Sequence, residues 1–236
     1  MKQTFTINQF DNHLLIENQN KTFLIDTGSP FSSFDGEDFD FLGIRARKGL
    51  FSISSAAISE LLGMHINNLI GNDVLKHFNV LIDYAQGTIT FSDEPVDLPD
   101  GQAFPIDNSF GVPKITMQLR GCEGRFFLDT GAKISYVKSS CLDGMVPDGH
   151  TTDFYVGYGN FDTPIYQVPT NIGGHNFSVQ FGKLPDLLER SLIGLSGTEG
   201  VIGYDFFHSF KVLLDYKNDT LWLEPAKKDS SSEFLV

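Results

Sequence analysis

Two short segments of this chain carry the residue types that carboxylate chemistry needs. Phe23-Leu24-Ile25-Asp26-Thr27-Gly28 recurs 103 residues further on as Phe126-Phe127-Leu128-Asp129-Thr130-Gly131. At average residue usage a chosen tripeptide is expected on the order of 0.05 times in a chain of this length. Two copies, each behind an apolar run, therefore call for a physical reason. The apolar residues read as a strand that carries the chain inward and presents a carboxylate at its end. Gly28 and Gly131 leave room beside that carboxylate and let a neighbouring backbone approach. Thr27 and Thr130 each offer a hydroxyl able to donate to backbone across a two-fold contact. Two such modules packed about a pseudo-two-fold axis bring Asp26 against Asp129. Carboxyl groups in contact share one proton and titrate as a coupled pair. Such a pair can hold a water, with one member as base and the other as acid.

The elements that must position these turns repeat as well. LIGNDVLKHFNVLIDYAQGTITF (69–91) aligns without gaps to VIGYDFFHSFKVLLDYKNDTLWL (201–223), an offset of 132. Two blocks in the same order, repeated once, describe a duplicated lobe and not a solenoid. Short apolar runs at 3–8, 13–17 and 22–26, and again at 114–119 and 124–129, read as strands separated by turn signals. Helical pieces are short, at about 57–63, 73–78, 184–190 and 204–209. The stretch 93–113 carries Pro95, Pro99, Pro105 and Pro113 and reads as the linker. This divides the chain into lobes at 1–97 and 98–236. Asp83 and Asp215 read as strand-end carboxylates bonding nearby amides, and Asp73 and Asp205 as caps of short helices.

Paired Asp-Thr-Gly turns, each followed by an apolar-apolar-Gly element (Leu69-Ile70-Gly71 and Val201-Ile202-Gly203), resemble the pepsin/retropepsin class of aspartic peptidases. The blocks around Asp73 to Tyr84 and Asp205 to Tyr216 are most similar to bacterial retropepsin-type domains, here fused in tandem on one chain. The resemblance covers both halves and nearly the whole sequence. It implies an all-β, bilobal acid-protease fold, two retropepsin-like β-barrel lobes about a pseudo-two-fold axis with the cleft between them. It also implies Asp26 and Asp129 as the catalytic dyad, supported by Thr27, Gly28, Ser29, Thr130 and Gly131. The implied activity is endopeptidase hydrolysis of a peptide or protein substrate, without metal or organic cofactor. The alternative is a peptidase-like module that grips a peptide or protein with little or no turnover.

Three departures from the family pattern carry expectations of their own. Ser29 follows the first turn and can donate its hydroxyl to the outer oxygen of Asp26, whereas Ala132 after the second cannot, which makes Asp26 the better-stabilised anion. Gly71 lies 45 residues after Asp26, but Gly203 lies 74 after Asp129. The extra length falls where the family carries its substrate-covering flap. The flap is therefore expected on the second lobe, at 152–169, inverted relative to pepsin-like enzymes. Its strand-like runs Thr152–Gly157 and Thr163–Pro169 flank a turn at Tyr158-Gly159-Asn160-Phe161. Tyr155 and Tyr158 are either flap residues or ordinary strand aromatics. The first lobe offers only Gly43–Ser54, with a turn near Lys48-Gly49. Third, the chain is small for a two-lobed pepsin.

Composition removes other classes. Among 236 residues, 17 Lys and Arg stand against 30 Asp and Glu, a net charge of −13. That balance argues against binding a phosphate backbone or an anionic membrane surface. No apolar run approaches the ~20 residues of a membrane span, and the first residues lack the apolar core of a secretory signal. A complete chain of this kind is expected to be cytoplasmic. Only Cys122 and Cys141 are present, expected as free thiols, and the six histidines show no metal-ligand spacing. Both aspartates lie on one chain, so activity is expected from the monomer. The first segment (Thr4–Ile7), the linker and the last strand (Thr220–Leu223) are candidates for a sheet joining the lobes.

Overall fold

In the computed structural model the described residues are 1–47, 53–109 and 111–226. Strands dominate, as the many β-branched and aromatic residues between turn signals require. A six-stranded sheet joins the two halves of the chain, in the order Lys2–Thr6, Thr88–Ser92, Asn79–Asp83, Phe210–Asp215, Thr220–Pro225, Gln102–Pro105. Its central pair is the repeat meeting itself. Ile82 faces Val212, Leu81 faces Leu213 and Val80 faces Leu214, antiparallel. Since Leu81 and Leu213 are equivalent in the repeat, a pseudo-two-fold axis passes through that pair. Val80, Ile82, Val212 and Leu214 are fully buried, so the seam between the halves is part of the core. The first segment, the linker and the last strand all contribute to this sheet.

Each half carries the same arrangement around its Asp-Thr-Gly turn. In the first, Lys21–Ile25 runs parallel to Asn68–Ile70, which is antiparallel to Ser33–Phe34. In the second, Cys122–Leu128 runs parallel to Gly200–Ile202, which is antiparallel to Ser135–Val137. Glycine is needed where the chain then turns away. A Cβ on Gly71 would sit 2.6 Å from Phe31 O, and one on Gly203 would sit 2.5 Å from Ala132 O.

The halves differ in what is added. The second has a seven-stranded sheet that includes a long hairpin, Gly149–Tyr155 with Gly159–Ile172, and closes on itself where Gln118 and Leu119 pair with Asn171 and Thr170. The first has a five-stranded sheet, a small hairpin of Phe39–Phe41 with Ile44–Ala46, and a helix, Ser55–Leu62. Ser54 caps that helix by accepting from Ala57 N, and Gly63 ends it at φ 70°. Phenylalanines fill the space under the small hairpin, with Phe41 edge-on to Phe91 at 5.3 Å and Phe34 edge-on to Phe39 at 4.9 Å.

Several local expectations need correction. Asp73 and Asp205 do not cap their helices. They sit in the first turn and reach outward, Asp73 accepting Ser32 N and Oγ and Asp205 accepting Gln180 N. The leading amides of these helices are taken by loop carbonyls instead, Asn72 N by Ser29 O, Asp73 N by Pro30 O and Tyr204 N by Ala132 O. The helix expected over 184–190 is one short turn, Asp186–Leu188, continued by a wider turn over Glu189–Gly194. The turn expected near Lys48-Gly49 and most of the C-terminal tail lie outside the described residues. Asp83 and Asp215 do bond nearby amides, those of Gln86 and Asn218.

Candidate active site

The two carboxylates are delivered by the parallel strand pairs. Asp26 N donates to Ile70 O at 3.0 Å and Asp129 N donates to Ile202 O at 2.9 Å, so each strand ladder ends on the aspartate itself. Behind them the threonines interlock. Thr27 Oγ1 donates to Leu128 O at 2.8 Å and accepts Thr130 N at 3.0 Å. Thr130 Oγ1 donates to Ile25 O at 2.6 Å and accepts Thr27 N at 3.0 Å. Both side chains are buried. These four bonds hold the two turns face to face across the axis.

Asp26 and Asp129 consequently lie within hydrogen-bonding reach of each other. Gly28 and Gly131 make this possible: a Cβ on Gly28 would fall 2.1 Å from Asp129 Cγ, and one on Gly131 would fall 2.7 Å from Asp26 Cγ. Two full charges about 4 Å apart repel by about 4 kcal/mol at an effective dielectric near 20, so the pair keeps one proton. The surroundings place it. Burial raises the Asp26 carboxyl above the ordinary value, opposed by the hydrogen bond with Asp129 and by the Gly28 and Ser29 amides. Asp129 is raised well above that value by burial and by the Asp26 charge, with only the Gly131 amide and a contribution from His13 opposing. The Asp129 carboxyl is the one raised further, the direction in which the shared proton is favoured there.

The asymmetry matches expectation but its agent does not. The Ser29 hydroxyl donates to Phe31 O at 2.7 Å, and it is the Ser29 backbone N–H that donates to Asp26 Oδ1, at 2.9 Å. A serine hydroxyl in a turn bonds readily to a carbonyl two residues on. The sequence reading also missed Asn72 and Tyr216. Asn72 Nδ2 donates to Thr27 O at 2.6 Å and Ser29 O at 2.9 Å, while Tyr216 donates its hydroxyl to Asn72 Oδ1 at 2.7 Å. The available signal is a mismatch in the repeat, since Tyr204 stands where Asn72 does. Tyr204 instead packs edge-on against Tyr84 at 5.6 Å.

The dyad lines a cavity of about 700 Å³ whose wall draws on both halves, including Leu24, Ile58, Leu69, Tyr136, Leu192 and Val201. The long hairpin of the second half borders it. Tyr155 lines the cavity, and burial and the two aspartates raise its hydroxyl pKa. Tyr158 does not line it; its ring meets Phe161 edge-on at 6.0 Å. The turn lies three residues earlier than expected. Tyr155 and Gly159 are the last pair, Asn160 and Phe161 belong to the strand, and Gly157 (φ 86°) supplies the left-handed conformation. Of Gly43–Ser54, the segment expected to be too short for a first-lobe flap, residues 48–52 lie outside the described residues.

Other groups are placed away from this chemistry. Cys122 and Cys141 are not bridged. Among the described residues no cluster of three or more His, Cys, Asp or Glu could hold a metal ion, and no helix is long and apolar enough to cross a membrane.

No family model matches the chain, and no curated protein matches it. Among solved structures the chain is similar to a retropepsin-like aspartic protease from Rickettsia conorii. The likeness is 18% sequence identity over 52% of this chain and 89% of that one, with a TM-score of 0.39.

Proposed function

We propose that this chain is an aspartic peptidase that hydrolyses peptide bonds with a water activated between Asp26 and Asp129. The observation that carries the reading is the pair of half-buried carboxyl groups within hydrogen-bonding reach of each other at the wall of a cavity shared by both halves. The Asp26 carboxylate takes a proton from the water as its oxygen attacks the carbonyl carbon. Asp129 gives its proton to the carbonyl oxygen, which avoids a free oxyanion. Collapse of the tetrahedral intermediate breaks the C–N bond, and a proton passing through the dyad leaves with the amine. No metal or organic cofactor takes part. Both carboxylates come from one polypeptide, so a single chain suffices, with lobes at 1–97 and 98–236.

Turnover of a peptide library, with inhibition by a statine-type transition-state mimic, tests this. Asp26→Asn and Asp129→Asn are each expected to abolish hydrolysis in a folded protein, and specific activity is expected to be unchanged on dilution. Tight binding of the mimic without turnover by the wild type would replace the peptidase with a peptide-binding module.

A further inference from the structure

Side-chain alternation along the hairpin puts Asp153 and Tyr155 on one face and Phe154 and Val156 on the other. The first face belongs to its own half: Asp153 is buried and accepts the hydroxyl of Tyr136. The second face crosses to the other half. Phe154 stacks on His13, with ring centroids 5.9 Å apart and planes 16° apart. Phe154 and Val156 also pack against the apolar cluster of Leu15, Leu24, Ile58, Leu62, Ile66 and Leu69. The middle of the hairpin's first strand is tied down separately. Lys133 Nζ bonds Thr152 O at 3.1 Å and Asp11 Oδ2 at 2.8 Å, the latter on the turn that precedes His13.

His13 is a prepared seat. It is 2% exposed, and its Nδ1 lies 3.2 Å from Phe10 O. A carbonyl only accepts, so Nδ1 carries the proton and the ring plane is held fixed. His13, Phe154, Leu24, Ile58 and Leu69 all line the cavity that contains the aspartates. Phe154 thus lies on the first-half wall of that cavity, where a bound peptide would need room for a side chain.

We propose that Phe154, seated on His13, fills a side-chain subsite of the first half in the resting protein, and that a peptide is admitted only when one of its own large apolar side chains takes the ring's place. The inference rests on the reading of Asp26 and Asp129 as a hydrolytic centre. An aromatic side chain is the best replacement, because only a ring restores the stack on His13. The occluded state lowers apparent affinity by the fraction of molecules in which the seat is free. Removing the Phe154 ring therefore tightens binding while loosening the hairpin.

Two measurements that need no turnover test this. Amide exchange at the hydrogen-bonded ladder residues of 149–155 and 159–165 is read in the free wild type and in Phe154→Ala. Binding of a statine-containing peptide bearing Phe beside the statine is read by calorimetry for both. In the wild type the amides are expected to be protected. In Phe154→Ala they are expected to exchange at least tenfold faster, and the peptide to bind at least fivefold tighter. In His13→Ala the hairpin is expected to loosen too, without the gain in affinity. Unprotected amides in the wild type overturn the proposal without recourse to any variant. Exchange unchanged in Phe154→Ala, or affinity unchanged or weakened, overturns it as well. A wild type that binds the mimic, shows these shifts and cleaves nothing keeps the gate and discards the peptidase reading.

Discussion

Replacing Thr27 by Val tests whether the interlocked threonines, and not the bulk around them, hold the two turns together. Valine keeps the side-chain shape and removes only the hydroxyl. Two buried backbone groups then lose their partners: Leu128 O, which accepts at 2.8 Å, and Thr130 N, which donates at 3.0 Å. A buried group left unpaired costs about 1–3 kcal/mol, so the two together cost about 2–6 kcal/mol. Thr27→Ser is the matched control. It keeps the hydroxyl and removes one buried methyl, worth about 0.8 kcal/mol before any cavity term. A domain of ordinary stability has roughly 5–15 kcal/mol in hand, so the valine variant is expected to stay folded but lose a large share of its margin. Urea unfolding followed through Trp222, the single tryptophan, and through far-UV circular dichroism measures both variants. Coincident transitions license the comparison. Thr130→Val unpairs a separate set, Ile25 O and Thr27 N, and is expected to cost a similar amount. If Thr27→Val costs no more than Thr27→Ser, the hydroxyl network is not what holds the turns and the reasoning fails.

The remaining expectations concern the dyad. Both carboxyls are raised above 3.8 by burial, so the acid limb of kcat/KM is expected above that pH, and the alkaline limb, set mainly by Asp129, higher still. An acid raised in the fold stabilises most when protonated; that contribution is complete below its unfolded value and is lost as pH rises through the folded one. Asp129→Asn removes the more strongly raised of the two acids and leaves only Asp26 to ionise, so calorimetry is expected to show a Tm above wild type once pH exceeds the raised Asp129 value, the gap closing as pH falls towards 3.8. Gly28→Ala would thrust a methyl to 2.1 Å from Asp129 Cγ; displacing the carboxylate by about 1 Å is expected to cut kcat/KM on the order of 100-fold with circular dichroism unchanged.

Much of this architecture is legible in the sequence because duplication writes it twice. The equivalence of 69–91 with 201–223 foretells that Asn79–Asp83 and Phe210–Asp215 occupy matching places, and symmetry then pairs them. The threonine interlock follows from the same argument. Contacts that join unlike residues across the axis have no such signature. Nothing local tells Tyr216 that its partner is Asn72, or Phe154 that its seat is His13, since these meet only when the halves are assembled. Competition among nearby acceptors is equally hidden, which is why the Ser29 hydroxyl and the carboxylates of Asp73 and Asp205 end elsewhere than expected. The hairpin turn was misplaced because glycines at 157 and 159 both permit it, and only strand register chooses between them.

The broken symmetry bears directly on which carboxylate is charged. Under the first turn, Asn72 donates to two carbonyls of the Asp26 loop and is itself held by the hydroxyl of the half-buried Tyr216. Burial raises the pKa of Tyr216, and so does the Asp26 charge, so it stays a donor throughout the working range. The loop fixed in this way presents the Ser29 amide to Asp26, at 2.9 Å. Under the second turn, Tyr204 stands where Asn72 does. Only its backbone N–H reaches the Asp129 loop, at Ala132 O, while its ring packs on Tyr84. Asp129 likewise receives one amide, that of Gly131 at 2.8 Å, but no side-chain amide ties its loop from below. A strictly symmetric pair would have no preferred site for its shared proton. Exchanging one amide side chain for an aromatic ring beneath the turns breaks that symmetry, and the Asp129 carboxyl is the one raised further.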